Sequence, residues 1–251
     1  MEATFNITLP TSWVELSDKQ LHLIYSLFAR DLSSSEVKTL CLMKWNGLKV
    51  LSQLPDKRFL IKREKEVVPL STRQIQQATS VLDFLDSFAP MPVRIERIGK
   101  YHALPADFEK VPFEEFLFVE NLFQGYLNTQ SDELLLQMAQ VLYASDHVKL
   151  DKAQLIGIFY WMASLKQYFA GLFPNFYKPA STNSGGNLLG SGQPDIYRQL
   201  RESTNAMIRA LTGGDITKEA AIMKMDTWRA LTELDAKARE VEEFRKAAKK
   251  P

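Results

Sequence analysis

Three features of this sequence predict an α+β fold that is predominantly α-helical. The first is a helix-start pattern that occurs four times. It is seen at Leu16-Ser17 with Gln20-Leu21, Leu32-Ser33 with Glu36-Val37, Leu70-Ser71 with Gln74-Ile75, and Leu150-Asp151 with Gln154-Leu155. In each, a Ser or Asp oxygen caps the first turn, the Glu or Gln three residues on reaches back, and flanking apolar residues staple across the start. The second is a set of short alternating apolar–polar segments confined to residues 1–104. The third is a change of texture at Pro105, after which strand signals stop and the chain becomes helical and aromatic. The expected organisation is a small α+β region with short antiparallel strands over 1–104 and a helical core region over 105–178. A flexible linker over 179–194 and a C-terminal helical hairpin with a charged end over 195–251 follow.

Residues 4–9 alternate, with Phe5, Ile7 and Leu9 on one face, and read as a half-buried strand. The first two capped helices run over about 18–30 and 34–45, and Asn46-Gly47 breaks the second. Residues 48–52, 58–62 and 66–70 form a small antiparallel meander, divided by Pro55-Asp56 and a charged turn over 62–65. The third capped helix spans 72–88 and stops before Pro90 and Pro92. Val93, Ile95 and Ile98 alternate with Arg94 and Arg97 as one more strand, closed by Gly99. Pro112 suits the first helical position of a helix over 113–127, rich in Phe113, Phe116, Phe118, Phe123 and Tyr126. Ser131 caps the next helix, striped by Leu134, Leu135, Met138, Val141 and Leu142.

Residues 150–177 organise the rest. Leu155, Ile158, Phe159, Met162, Leu165, Phe169, Leu172 and Phe173 make one continuous apolar stripe at helical spacing. Gly157, Ser164 and Gly171, one small residue every seven, line a flank where a second helix can approach closely. Pro174 stops the helix. The segment is long enough to span a bilayer, but Lys166 and Gln167 lie near its C-terminal third, and a mid-span lysine costs about 2.5–3.5 kcal/mol. A buried core helix is the expected reading, with no membrane span.

Residues 179–194 are rich in Gly, Ser, Asn and Pro and contain almost nothing to bury. A helix over 195–212 follows, carrying Ile196, Leu200, Met207, Ile208 and Leu211 and closed by Gly213-Gly214. A last helix opens at Asp215 or Thr217 and reaches Lys249, with Ile222, Met225, Trp228, Leu231 and Leu234 as its stripe. Its charged end, 236–250, holds too few apolar residues to pack and is expected to protrude.

The chain has 251 residues, 45% hydrophobic and 24% charged, with a formal net charge of +1, the profile of an ordinary globular protein. Near-neutrality removes the simplest argument for a nucleic-acid binder, since no charge excess exists to neutralise phosphates. The single cysteine, Cys41, excludes an internal disulfide and fits a reducing compartment. The N-terminal residues lack a basic stretch followed by an apolar run, so no secretory signal is expected.

No catalytic signature stands out. His22, His102 and His147 lie in three different segments, none with a second His or Cys at ligand spacing, so no metal and no cofactor are expected. Cys41 lies between Leu40 and Leu42 and reads as a small buried apolar residue. The glycine-rich stretch 185–192 lacks the Gly-Lys-Ser/Thr ending of a phosphate-binding loop, and no strand precedes it. Glu114 and Glu115, with Glu109 and Glu120, form an acidic patch at a helix start, where the dipole favours it. Arg94, Arg97 and Lys100, beside Tyr101 and His102, mix charge with an aromatic and are candidate nucleic-acid contacts. Met225, Trp228, Leu231 and Leu234 are the candidate partner-binding residues, since an apolar stripe on a tethered helix suits a partner groove. The competing expectation packs Trp228 into the main body.

The stretches GGDITKEAAIMKMDTWRALTELDAKAREVEE, FYWMASLKQYFAGLFPNFY and TFNITLPTSWVELSDKQL together resemble bacteriophage and prophage proteins of the tail and virion gene cluster. The resemblance implies a non-enzymatic virion or tail-assembly protein, chaperone-like, in the bacterial host cytoplasm or the virion. It implies other phage structural or tail proteins as partners, the tape-measure protein or a second copy of the chain among them. No functional residue follows from it. The alternative is a nucleic-acid-associated phage or mobile-element protein using Arg94, Arg97 and Lys100.

Overall fold

Helix initiation in this protein is local chemistry. The Ser17 oxygen accepts the Gln20 N–H and the Gln20 side chain accepts the Ser17 N–H, so two otherwise orphaned donors are satisfied at the start of α1 (Asp18–Phe28). Ser33 and Glu36 open α2 (Ser34–Trp45) in the same way, and Ser71 and Gln74 open α3 (Thr72–Thr79). In this computed structural model, which describes residues 6–177 and 196–248, nine α-helices, a three-stranded antiparallel sheet and a two-stranded one are present among the described residues.

After α2, Gly47 takes φ +64° and turns the chain into β1 (Lys49–Gln53), β2 (Phe59–Arg63) and β3 (Glu66–Leu70), an antiparallel meander in that order. Ile61 sits opposite both Val50 and Val68, and it packs with Leu42 and Leu48 in a small satellite core. The expected strand over 4–9 is not seen in its described part, 6–9, which joins no ladder. Ile7 and Leu9 pack against the satellite core all the same, and the Thr8 N–H donates to Asn46 Oδ1 (3.3 Å).

The third capped helix was expected to run to 88, but its second half, Ser80–Asp86, tightens to a 3-10 helix. The hydroxyls of Thr79 and Ser80 donate to the carbonyls of Gln76 and Gln77, three residues back, which competes with the regular ladder. The strand expected over 93–98 shrinks to β4 (Arg97–Ile98), paired with β5 (Tyr101–His102) around Gly99 at φ +58°. Its missing part has other partners: Ile95 O accepts the Tyr143 hydroxyl (2.7 Å), and Asp18 accepts the N–H groups of Glu96 and Arg97.

The helical part comprises α4 (Phe113–Thr129), α5 (Asp132–Leu142), α6 (Lys152–Leu172), α7 (Ile196–Thr212), α8 (Glu219–Met223) and α9 (Thr227–Ala248). Pro112 is the residue before α4 rather than its first, and Ser131 precedes α5 without a side-chain cap bond. Asp151 and Gln154 form the fourth capping box, and α6 ends before Pro174. Along α6, Ile158, Met162, Leu165 and Phe169 are buried, followed by Phe173; Leu155 and Phe159 are half-buried and Leu172 is exposed. The stripe is wider than expected, because Trp161 is also fully buried, stacked 5.7 Å from Phe108 and donating to Ala106 O. Helix α1 crosses α6 at Gly157, where an added Cβ would come within 2.9 Å of the Tyr25 ring. Ser164 is buried too, whereas Gly171 faces open space.

One apolar cluster runs from Trp13 to Leu234 and passes through the expected boundary at 104/105. No helix among the described residues is long and apolar enough to cross a membrane. Lys166, the residue that argued against a span, forms an ion pair with Glu120 of α4. The expected linker over 179–194, its glycine-rich stretch and Lys249 lie outside the described residues.

Candidate partner interface

The last helix is broken where the sequence predicts continuity. Residues 216–218 form a 3-10 turn opened by Asp215, α8 follows, and α9 starts afresh at Thr227. The break is built by backbone pairing with a distant segment. The Phe113 N–H donates to Met225 O (2.8 Å), the Thr227 N–H and hydroxyl donate to Val111 O, and the Lys110 N–H donates to Asp226 Oδ2. Asp226 Oδ1 also accepts the Arg229 N–H (3.1 Å), the geometry of a helix cap.

This pinning corrects the placement of the four candidate partner-binding residues. Leu231 and Leu234 are buried in the main cluster, and Met225 and Trp228 are half-buried against it. The Trp228 indole N–H donates to Asp107 O (2.8 Å), and its ring meets Tyr168, Phe169 and Phe173 edge-on. The stripe thus faces the body, with Leu231 and Leu234 covered and Met225 and Trp228 covered in part. Asp235 fastens the next turn: its carboxylate accepts the N–H groups of Asn175 and Phe176 and the Asn175 amide. Burial alone would raise this carboxyl, but those donors and Arg239 hold it below the usual range.

Beyond Ala238 the same helix leaves the body. Val241 is 51% exposed and Phe244 76% exposed, three residues apart on one side of α9. Their neighbours Glu240, Glu243 and Arg245 are exposed as well. The charged end was expected to protrude from 236, but 236–238 are half-buried and exposure begins at Arg239 among the described residues; these two apolar groups were not singled out by periodicity. For Val241 the signal was present, since Ala238, Val241 and Ala248 continue the spacing of Leu231 and Leu234, but Phe244 falls off that series.

The basic candidates Arg94, Arg97 and Lys100 lie in the segment that leads into and turns the β4–β5 hairpin. Arg94 is folded back, with its guanidinium donating to Leu104 O and Ala103 O and paired with Glu96 at 2.7 Å. Arg97 donates to Gly99 O, and the Lys100 ammonium lies 5.3 Å from the Tyr101 ring centre. Arg94 is half-buried by these contacts, whereas Arg97 and Lys100 stay exposed.

Among the described residues no group of three or more His, Cys, Asp or Glu could hold a metal ion. His22 Nε2 lies 2.7 Å from Asp151 Oδ2, which joins α1 to the cap of α6. Burial opposes ionisation of Asp151, yet the His22 contact and the N–H groups of Gln154 and Ala153 hold its carboxyl low. Cys41 is fully buried, and burial pushes its thiol up to about 12, which removes the thiolate that reactivity requires. Glu114 and Glu120 of the acidic patch point apart: Glu114 is exposed and Glu120 turns inward to Lys166.

Two features were not legible in the sequence. Lys38 is only 8% exposed, and its ammonium bonds Asp83 (2.6 Å) and Asp86 (2.5 Å), brought together by α2 and the 3-10 helix after α3. A shallow groove of about 820 Å³ runs beside α4 and α5, past Val111, Glu115, Phe118, Gln140 and His147, without a buried polar group aimed into it. No protein-family model, curated protein or solved structure matches the chain.

Proposed function

We propose that the chain is a non-enzymatic assembly protein of a phage or prophage, a tail-assembly chaperone or minor virion component that works through protein–protein contacts. The observation that carries this reading is the free end of α9, where Val241 and Phe244 stand in solvent on a helix anchored by Trp228, Leu231 and Asp235. A helix held rigidly at one end and apolar at the other presents its contacts without an ordering cost at the moment of binding. The resemblance to tail and virion proteins names the setting, in the host cytoplasm or the particle, and the tape-measure protein as the partner to test first.

Deletion of the gene in a producing lysogen, with particles scored by electron microscopy, tests the reading. Tail-less or misassembled particles are expected, rescued by the wild-type chain but not by Val241→Asp with Phe244→Asp. Normal infectious particles from the deletion strain would overturn it.

A further inference from the structure

The meander has two edges, and they differ. On β3 the edge carries Pro69, which has no N–H to offer and closes that side to a further strand. On β1 the edge has no proline, and no described segment pairs with its outer side. All five residues of β1 are exposed, Val50 by 54% and Leu51 by 51%. Leu51 is the extra residue where the β1–β2 register shifts, so its side chain lacks a cross-strand neighbour.

The two faces of this edge ask for different things. Val50 shares a face with Ile61 and Val68, and those two are buried while Val50 is exposed. On the opposite face Lys49 lies directly across from Lys62, a like-charge pair of the kind that weakens a ladder. Among the described residues neither lysine has a carboxylate within ion-pair distance. Residues 49–70, which span the sheet, hold six basic side chains and three acidic, so the sheet is a local positive patch on a nearly neutral chain.

We propose that the outer edge of β1 is a docking site for an extended acidic segment of a partner protein, added to the meander as a fourth strand. Main-chain hydrogen bonds to the open edge supply the attachment, and alternation supplies the selectivity. Partner residues on the Lys49–Lys62 face are Asp or Glu, and those on the Val50 face are apolar. A second copy of this chain is disfavoured as occupant, because its own edge brings the same positive patch. The site is separate from the end of α9 and stands or falls independently of the assembly role.

The probe is a seven-residue peptide alternating Val with Glu or Asp, titrated into the full chain and followed by nuclear magnetic resonance. Two controls accompany it: the same peptide with Lys for every acid, and the acidic peptide N-methylated at alternate residues. The expected result is saturable binding of the acidic peptide alone, with shifts confined to β1 and β2 and weakening as salt rises. Lys49→Glu with Lys62→Glu should lower affinity roughly tenfold at an unchanged melting temperature, since both side chains are exposed. Should that variant fail to fold, the two control peptides on the wild-type chain decide the matter alone. No binding of the acidic peptide, equal binding of either control, shifts mapping elsewhere, or a dimer formed through β1 would each overturn the proposal.

Discussion

Gly157 sets two effects against each other. In a helix interior, Ala in place of Gly gains about 1 kcal/mol. Here the new Cβ would meet Cδ2 and Cε2 of Tyr25 at 2.9 Å, and that ring is fully buried beside Phe28 and Tyr160. Overpacking of this kind costs about 1–3 kcal/mol. Packing wins, so Gly157→Ala is expected to lower the urea midpoint, whereas Gly171→Ala, with nothing within 4 Å, should raise it. Shifts in the same direction would refute the close approach of α1. The small-residue flank was legible in the sequence, but which of its members is pressed depends on where α1 crosses. Lys38 gives a second test. Its ammonium is the main cause of the lowered Asp86 carboxyl, helped by the Ser34 hydroxyl. A carboxyl depressed on folding contributes stability above its ordinary value, near 3.9, and loses it as pH falls through the folded value. Lys38→Met should therefore cost about 1–2 kcal/mol at pH 7, the modest figure reflecting how exposed both carboxylates are. That gap should shrink steadily below about pH 4. Denaturation curves at the two pH values read it directly, and a gap independent of pH would count against the ion pair.

At the scale of elements, the four capping boxes show how far local grammar reaches. Each places its partners within three residues, so sequence suffices to locate the helix start. The break before α9 has no such source. It arises from Met225 and Thr227 bonding to Phe113 and Val111, and only Asp226, ahead of Thr227 and Trp228, carried a local hint of a new start. The strand at 93–98 failed for a related reason, because Ile95, Glu96 and Arg97 give backbone groups to Tyr143 and Asp18. Placing Leu231 inside the core changes what its removal does. Leu231→Ala should cost about 2–5 kcal/mol, while Phe244→Ala on the free end should stay within about 0.5 kcal/mol. Chemical denaturation of the two variants separates them. Equal, small effects would return α9 to the status of a loosely attached hairpin.

For the molecule as a whole, the fold class was legible because periodicity changes at Pro105, and the satellite core under the meander follows from alternation in β2 and β3. The unity of the main core was not legible, since it depends on Trp13, Phe113, Trp161 and Leu231 meeting across the chain. A chain ending at residue 177 should consequently lose its cooperative thermal transition and aggregate, because the aromatic wall of α6 would lose its cover. A sharp melt from that fragment, seen by circular dichroism, would show that α9 is dispensable. The pinned crossing of 110–113 by 225–227 also sets a schedule for biosynthesis. Asp107 and Trp228 are 121 residues apart, and at about 5–20 residues per second a ribosome needs roughly 6–24 s to travel between them. Once Phe173 has been made, 55 residues, or roughly 3–11 s at that rate, remain before Trp228, and over that time the slot beside Phe169 and Phe173 is open on the nascent chain. A cell making this protein must therefore guard the unfinished chain, and ribosome-associated holdases should matter more for its yield than for a protein whose helices pair as they emerge.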